Sequence, residues 1–125
     1  MSKVTGVLID VLAGTTIVYT VKSGTLEEYY RILNCTTFDI TSRRIGNNYY
    51  DIYCDDEGLF QCNPIVSAIS SDRNPMLVGN LFVTKTNDEG ETISLTQEEI
   101  GEVLDNIVHL YDESGRTWSA IVCDY

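Results

Sequence analysis

Histidine is nearly missing, with His109 the only one in 125 residues. A catalytic triad needs an oriented base beside a Ser or Cys, and imidazole metal sites need ligands at close spacing. One His supplies neither. Bases are also few: eight Lys and Arg stand against 19 Asp and Glu, for a net charge of −11. Such a surface repels phosphate backbones, so no direct nucleic-acid binding is expected. No apolar run approaches the ~20 residues that span a bilayer. The segment Met1-Ser2-Lys3-Val4-Thr5-Gly6 lacks the long apolar stretch and cleavage site of a secretory signal. These absences lead to the expectation of a cytoplasmic protein with no membrane partner.

Zinc-ribbon spacing is absent from Cys35, Cys54, Cys62 and Cys123. They read as small core residues of a reducing compartment. The Gly residues form no phosphate loop. Asp55-Asp56-Glu57 lacks the alternate spacing of a calcium loop and reads as a solvated turn. No metal, cofactor or catalytic set is therefore expected, and the chain does not read as an enzyme.

Apolar residues make up 43% of the chain and are spread along it, as in a globular domain. The length fits one domain over residues 1–125. Val7–Leu12 and Thr15–Val21 are β-branched runs around Ala13-Gly14, a hairpin signal. After the Ser23-Gly24 break, Thr25-Leu26-Glu27-Glu28 forms a capping box for a helix over 25–34. Residues 37–54 read as a second hairpin turning at Gly46-Asn47-Asn48. The segment from Leu59 to Ser71 is open between a strand and a helical turn over Ile65–Ile69. Met76 to Lys85 reads as one strand, with Gly79 marking a bulge or close approach. Thr96-Gln97-Glu98-Glu99 caps a helix over 97–111 with Ile100, Val103, Leu104, Ile107 and Tyr111 inward and His109 outward. Thr117–Cys123 closes as a strand. The sum is α+β: a mainly antiparallel sheet with two helices packed on one face.

Scarce bases draw the search for a binding site. Arg43 and Arg44, adjacent on a strand, point to opposite faces. Arg73 and Asn74 occupy a loop before the strand that carries Asn80 and Phe82, and Arg116 lies beside Trp118. Guanidinium on phosphate with a ring on the base is one way to hold a nucleotide. Phe82, Asn80, Arg73, Asn74, Arg116 and Trp118 are the candidate ligand contacts on that chemistry. Of the eight Tyr, the Tyr29-Tyr30 and Tyr49-Tyr50 pairs should each turn one ring inward and one outward.

An ordered set of pieces runs from Gly24 to Asp105: the Thr25–Glu28 helix start, Asp55-Asp56-Glu57-Gly58-Leu59, Asn63-Pro64 with a small-residue run to Ala68, Leu77-Val78-Gly79-Asn80-Leu81-Phe82-Val83, and Ile93-Ser94-Leu95-Thr96 before a Glu-rich helix. In this the chain resembles a family of small phage- and prophage-encoded proteins with a domain of unassigned function. Among phage proteins it looks most like the Thoeris anti-defence sponges. The resemblance implies a homo-oligomer in the host cell cytoplasm. Such a protein binds a cyclic nucleotide signal, of the cyclic ADP-ribose or cyclic oligonucleotide type, without cleaving it. The alternative is an acidic nucleic-acid mimic that inhibits a host defence nuclease, of the anti-restriction or anti-CRISPR kind, motivated by the acidic turns at 55–57 and 88–91.

Overall fold

Two local hairpins and one distant strand build the larger sheet. The computed structural model describes residues 3–22, 25–57 and 64–125. The Ser23-Gly24 break, Gly58, Leu59, Cys62 and Asn63 lie outside them. The elements are β1 (Val4–Asp10), β2 (Thr15–Val21), α1 (Leu26–Leu33), β3 (Phe38–Ile45), β4 (Asn48–Asp55), β5 (Val66–Ile69), β6 (Pro75–Val78), β7 (Leu81–Thr86), β8 (Thr92–Ile93), α2 (Gln97–Asp105), β9 (Ile107–Tyr111) and β10 (Thr117–Val122). The larger sheet runs β2-β1-β7-β4-β3, with β8 beside β7, and the smaller runs β6-β5-β10-β9. Among the described residues only β5 and β10 pair in parallel; the other strand pairs are antiparallel, so the α+β class with mainly antiparallel sheets holds.

The second hairpin turns where the sequence places it, whereas the first turns two residues earlier than the Ala13-Gly14 connection implies, because β1 ends at Asp10 and not at Leu12. β1 and β2 pair from Asp10↔Thr15 to Val4↔Val21, which leaves a four-residue loop with Gly14 at φ 74°. The Asp10 carboxylate accepts from the Leu12 and Ala13 N–H groups. β3 and β4 turn on Gly46 and Asn47, pairing Ile45 with Asn48. β7 then enters between β1 and β4, and Leu81, Phe82, Val83 and Thr84 are all buried.

Alternation on β1 divides the core. Val4 and Leu8 face α1 with Tyr29, Ile32, Leu33, Tyr53 and Phe82. Val7 and Ile9 face the smaller sheet and α2, with Ile52, Leu81, Val83, Val103 and Ile121. The helices therefore lie on opposite faces of the larger sheet, which corrects the one-face expectation. Gly6 sits where a Cβ would fall 2.2 Å from the Val83 carbonyl oxygen and 3.1 Å from the Phe82 ring, so only Gly admits this packing.

Two further boundaries differ from the sequence reading. The strand expected over Met76–Lys85 is two strands in different sheets, β6 and β7. Gly79, at φ 79°, makes the change of direction. Nothing lies within 4 Å of its would-be Cβ, so backbone conformation and not close approach selects Gly here. The helix expected over 97–111 ends at Asp105. Asn106 caps it by donating its Nδ2–H to the Glu102 carbonyl, and the β-branched and aromatic Ile107–Tyr111 pairs with β10 instead. Leu104 and Tyr111, expected inside, are 41% and 79% exposed. Thr96 and Glu99 form their capping box as read, whereas the Thr25 side chain makes no cap bond to α1. Ile65–Ile69, left open, contains β5.

Two polar side chains tie distant elements together. Asn80 is 5% exposed; its Oδ1 accepts from the Val11 N–H and its Nδ2 donates to the Ile32 carbonyl, both at 3.0 Å. That carbonyl is among those a helix end leaves without an intrahelical partner. On α2, Glu102 accepts from Tyr50 Oη at 2.6 Å, Asn48 Nδ2 at 2.7 Å and the Asn47 N–H at 3.1 Å. These bonds hold its carboxyl below the usual 4.5.

Asn80→Ala orphans a buried donor and acceptor, each costing about 1–3 kcal/mol. Denaturant unfolding should show a loss of about 3 kcal/mol or more. Because the Glu102 carboxyl is depressed in the fold, its stabilisation is fully present above its unfolded pKa and fades as pH falls through the folded value. The stability gap between wild type and Glu102→Gln should thus be constant near neutrality and shrink in acid.

Candidate functional site

A groove of about 650 Å³ runs along the open side of β2, beneath α1. It is lined by Val18, Tyr19, Thr20 and Lys22 from the strand side and by Glu28 and Arg31 from the helix. Tyr19 is aligned with Gly6, on the α1 face of the sheet, and its ring rests edge-on against Phe82 at 6.2 Å. Behind it, Phe82 meets Tyr29, which stacks on Tyr53 at 4.8 Å, so buried rings back the Tyr19 ring, which itself lines the groove. Burial and the neighbouring Tyr53 and Glu28 push the Tyr29 hydroxyl up to about 12, which keeps that ring neutral.

Glu28 is the buried carboxylate of the groove, at 9% exposure. It accepts from Tyr19 Oη at 3.0 Å and from the Lys22 N–H at 3.1 Å, with Arg31 Nη2 at 3.8 Å. Arg31 also donates to Tyr19 Oη at 3.3 Å, yet its side chain is 69% exposed. The carboxylate is thus engaged by Tyr19, the Lys22 N–H and Arg31, and the Arg31 guanidinium stays largely exposed. Two of the chain's eight bases line this groove. It can accept an anion beside an apolar ring.

The sequence-predicted contacts do not assemble into one site. Phe82 is fully buried and Asn80 spends its amide on Val11 and Ile32, so both are structural. Phe82 still supports the groove, from beneath Tyr19. Arg73, exposed at φ 69°, and Asn74 form the β5–β6 turn. Arg116 donates to the Val11 carbonyl at 3.0 Å, and Trp118 Nε1 to the Val66 carbonyl at 2.8 Å. β5 runs parallel to β10 with Ile69 beside Val122, so Arg73 and Asn74 lie at the opposite end of β10 from Arg116 and Trp118. Arg43 lies under the Tyr125 ring at 4.7 Å, whereas Arg44 reaches Asp124 at 3.6 Å. Tyr29 and Tyr50 turn inward and Tyr49 outward, as the paired rings suggest. Lys22 and Arg31 went unnoticed in the sequence; their signal was that two rare bases flank the first turns of α1.

His109 lies on β9, exposed, opposite Ser119 of β10. Among the described residues no three His, Cys, Asp or Glu side chains gather to hold a metal, and no helix is long and apolar enough to cross a membrane. Burial raises the thiols of Cys54 and Cys123 to about 11. Thiolate is the reactive form. Alkylation of the native protein near neutral pH, mapped by mass spectrometry, should therefore spare both cysteines until denaturant is added.

Residues 5–108 match the model of a family described as a domain of unknown function (DUF3846). Neither the curated proteins nor the solved structures hold a match.

Proposed function

The chain belongs to the DUF3846 family, and from that premise we propose that it is a phage counter-defence protein that binds a cyclic nucleotide signal and holds it without cleavage. The signal would be of the cyclic ADP-ribose or cyclic oligonucleotide type, and the protein would act in the host cell cytoplasm. One observation carries the reading. In a chain of net charge −11, Lys22 and Arg31 line one groove together with the Tyr19 ring, which buried Phe82 supports. Its volume lies within the roughly 300–1,000 Å³ of small-molecule sites. Guanidinium and ammonium suit a phosphate, and Tyr19 offers an apolar body with a polar tip. Tyr19 and the Lys22 N–H engage Glu28, which limits its repulsion of an anion. His109 stands on another strand, away from the groove, which favours capture over turnover.

A sponge must hold free signal below the threshold of the effector, which asks for nanomolar affinity, about −12 kcal/mol. Calorimetry against a panel of cyclic ADP-ribose-type and cyclic dinucleotide signals should show such binding, with intact ligand recovered after heat denaturation. The double variant Lys22→Glu/Arg31→Glu should weaken it by about 100-fold, the scale of two charge-assisted contacts. Arg73→Glu/Arg116→Glu should leave it nearly unchanged, and equal losses from both pairs would move the site. No binding across the panel would turn the reading to the acidic mimic and the search to basic host nucleases.

A further inference from the structure

Among the described residues the two sheets present the outer strands β2, β3, β6 and β9, with the two-residue β8 beside β7. A bare edge is a template for pairing, and native proteins guard it with charge, proline, bulges, shortness or a covering segment. Three of these edges are guarded. β3 carries Asp39, Arg43 and Arg44, and Arg44 exchanges two backbone bonds with Asp124. β6 has four residues, begins at Pro75 and pairs with β5 through register shifts. β9 has five residues, closed by Asp105 two positions before it and Asp112 and Glu113 after it.

β2 has none of these guards. Its seven residues, Thr15-Thr16-Ile17-Val18-Tyr19-Thr20-Val21, include no charge and no Pro, and they pair with β1 without a register break. Among the described residues, no backbone group of this strand bonds to a segment other than β1. Ile17 and Val18 are 46% and 50% exposed on opposite faces. A chain with 19 acids spread over its sequence has left uncharged the one long edge that could be paired.

We propose that β2 is the interface with a second copy of this chain, the two β2 strands pairing antiparallel across a two-fold axis into one continuous sheet. Symmetry makes a strand paired with its own copy antiparallel, and centring on Val18 uses all seven residues. Val18 then meets the partner's Val18, and Ile17 meets the partner's Tyr19, Thr16 the partner's Thr20, and Thr15 the partner's Val21. Every pair is uncharged and β-branched or aromatic, the kind that stabilises a sheet. The charge pattern selects a second copy over β9 pairing with itself. Centring β9 on His109 would set Asp105 against the partner's Glu113, whereas the equivalent step beyond β2 sets Gly14 against the partner's Lys22. The contact is isologous, so it closes at two chains and does not propagate. Facing side chains of an antiparallel pair share a side of the sheet, so the partner's Ile17 stands beside Tyr19. The pairing does not rest on the proposed binding function.

Light scattering on eluting protein, without ligand and over a dilution series, tests the pairing. The wild type should show twice the mass of the chain. Val18→Lys and Val18→Glu each set like charges face to face on the axis, and each should run as a single chain with an unchanged circular dichroism spectrum. Mixed one to one, the two variants should recover the double mass, because opposite charges then meet. A wild type of single-chain mass throughout the series overturns the proposal. So does a double mass that survives either variant, or a mass beyond two chains. A dimer that binds none of the cyclic nucleotides would keep the interface and sink only the ligand reading.

Discussion

The fold depends on how the chain crosses from one sheet to the other within two residues. Gly79 supplies the left-handed backbone, and Asn80 then buries an amide that must find partners at both ends. It finds them on the β1–β2 loop and at the end of α1. One side chain thereby fixes where β7 enters, how the first hairpin ends and where the helix lies. β7 in turn joins two hairpins that otherwise share no strand contact. The groove depends on this junction, since Glu28 and Arg31 of α1 line one side and Phe82 of β7 supports the Tyr19 ring.

Charge organises the surface as apolar packing organises the interior. Several carboxylates tie segments together through neutral or basic groups: Glu102 holds the β3–β4 turn, Glu28 the β2 end, Asp124 the β3 edge and Glu99 the Lys85 ammonium. Acids elsewhere sit in turns such as Asn87–Glu91, where Asn87 Oδ1 accepts from the Glu89 and Glu91 N–H groups. Against that background the edge of β2, which carries no acid, is conspicuous, and it borders the groove that holds Glu28.

Local chemistry was legible in the sequence and long-range order was not. Both hairpins, the Thr96 capping box and the α+β class follow from turn residues and alternation near in sequence. The position of β7 does not, because its partners lie about 30 to 75 residues upstream. α2 was read too long because Ile107 continues the helical spacing by coincidence, while the β preference of Ile107–Tyr111 needs β10 to take effect. Phe82 and Asn80 were taken for ligand contacts because they follow a loop that carries Arg73. An unbroken apolar run such as Leu81-Phe82-Val83 instead marks a strand covered on both faces. Lys22 and Arg31 were legible only as rare charges, since a groove between a strand edge and a helix leaves no spacing pattern.

The parallel pairing of β5 with β10 has a consequence for synthesis. The larger sheet is complete in sequence once β8 has been made, and its hairpins need only near neighbours. The smaller sheet cannot close then, because β10 sits between β5 and β9 and is translated last among its strands. At about 5–20 residues per second, a second or more of synthesis separates β8 from β10. Over that interval the larger sheet has all its strands, while Ala68 and Ile69 have no cover from β10.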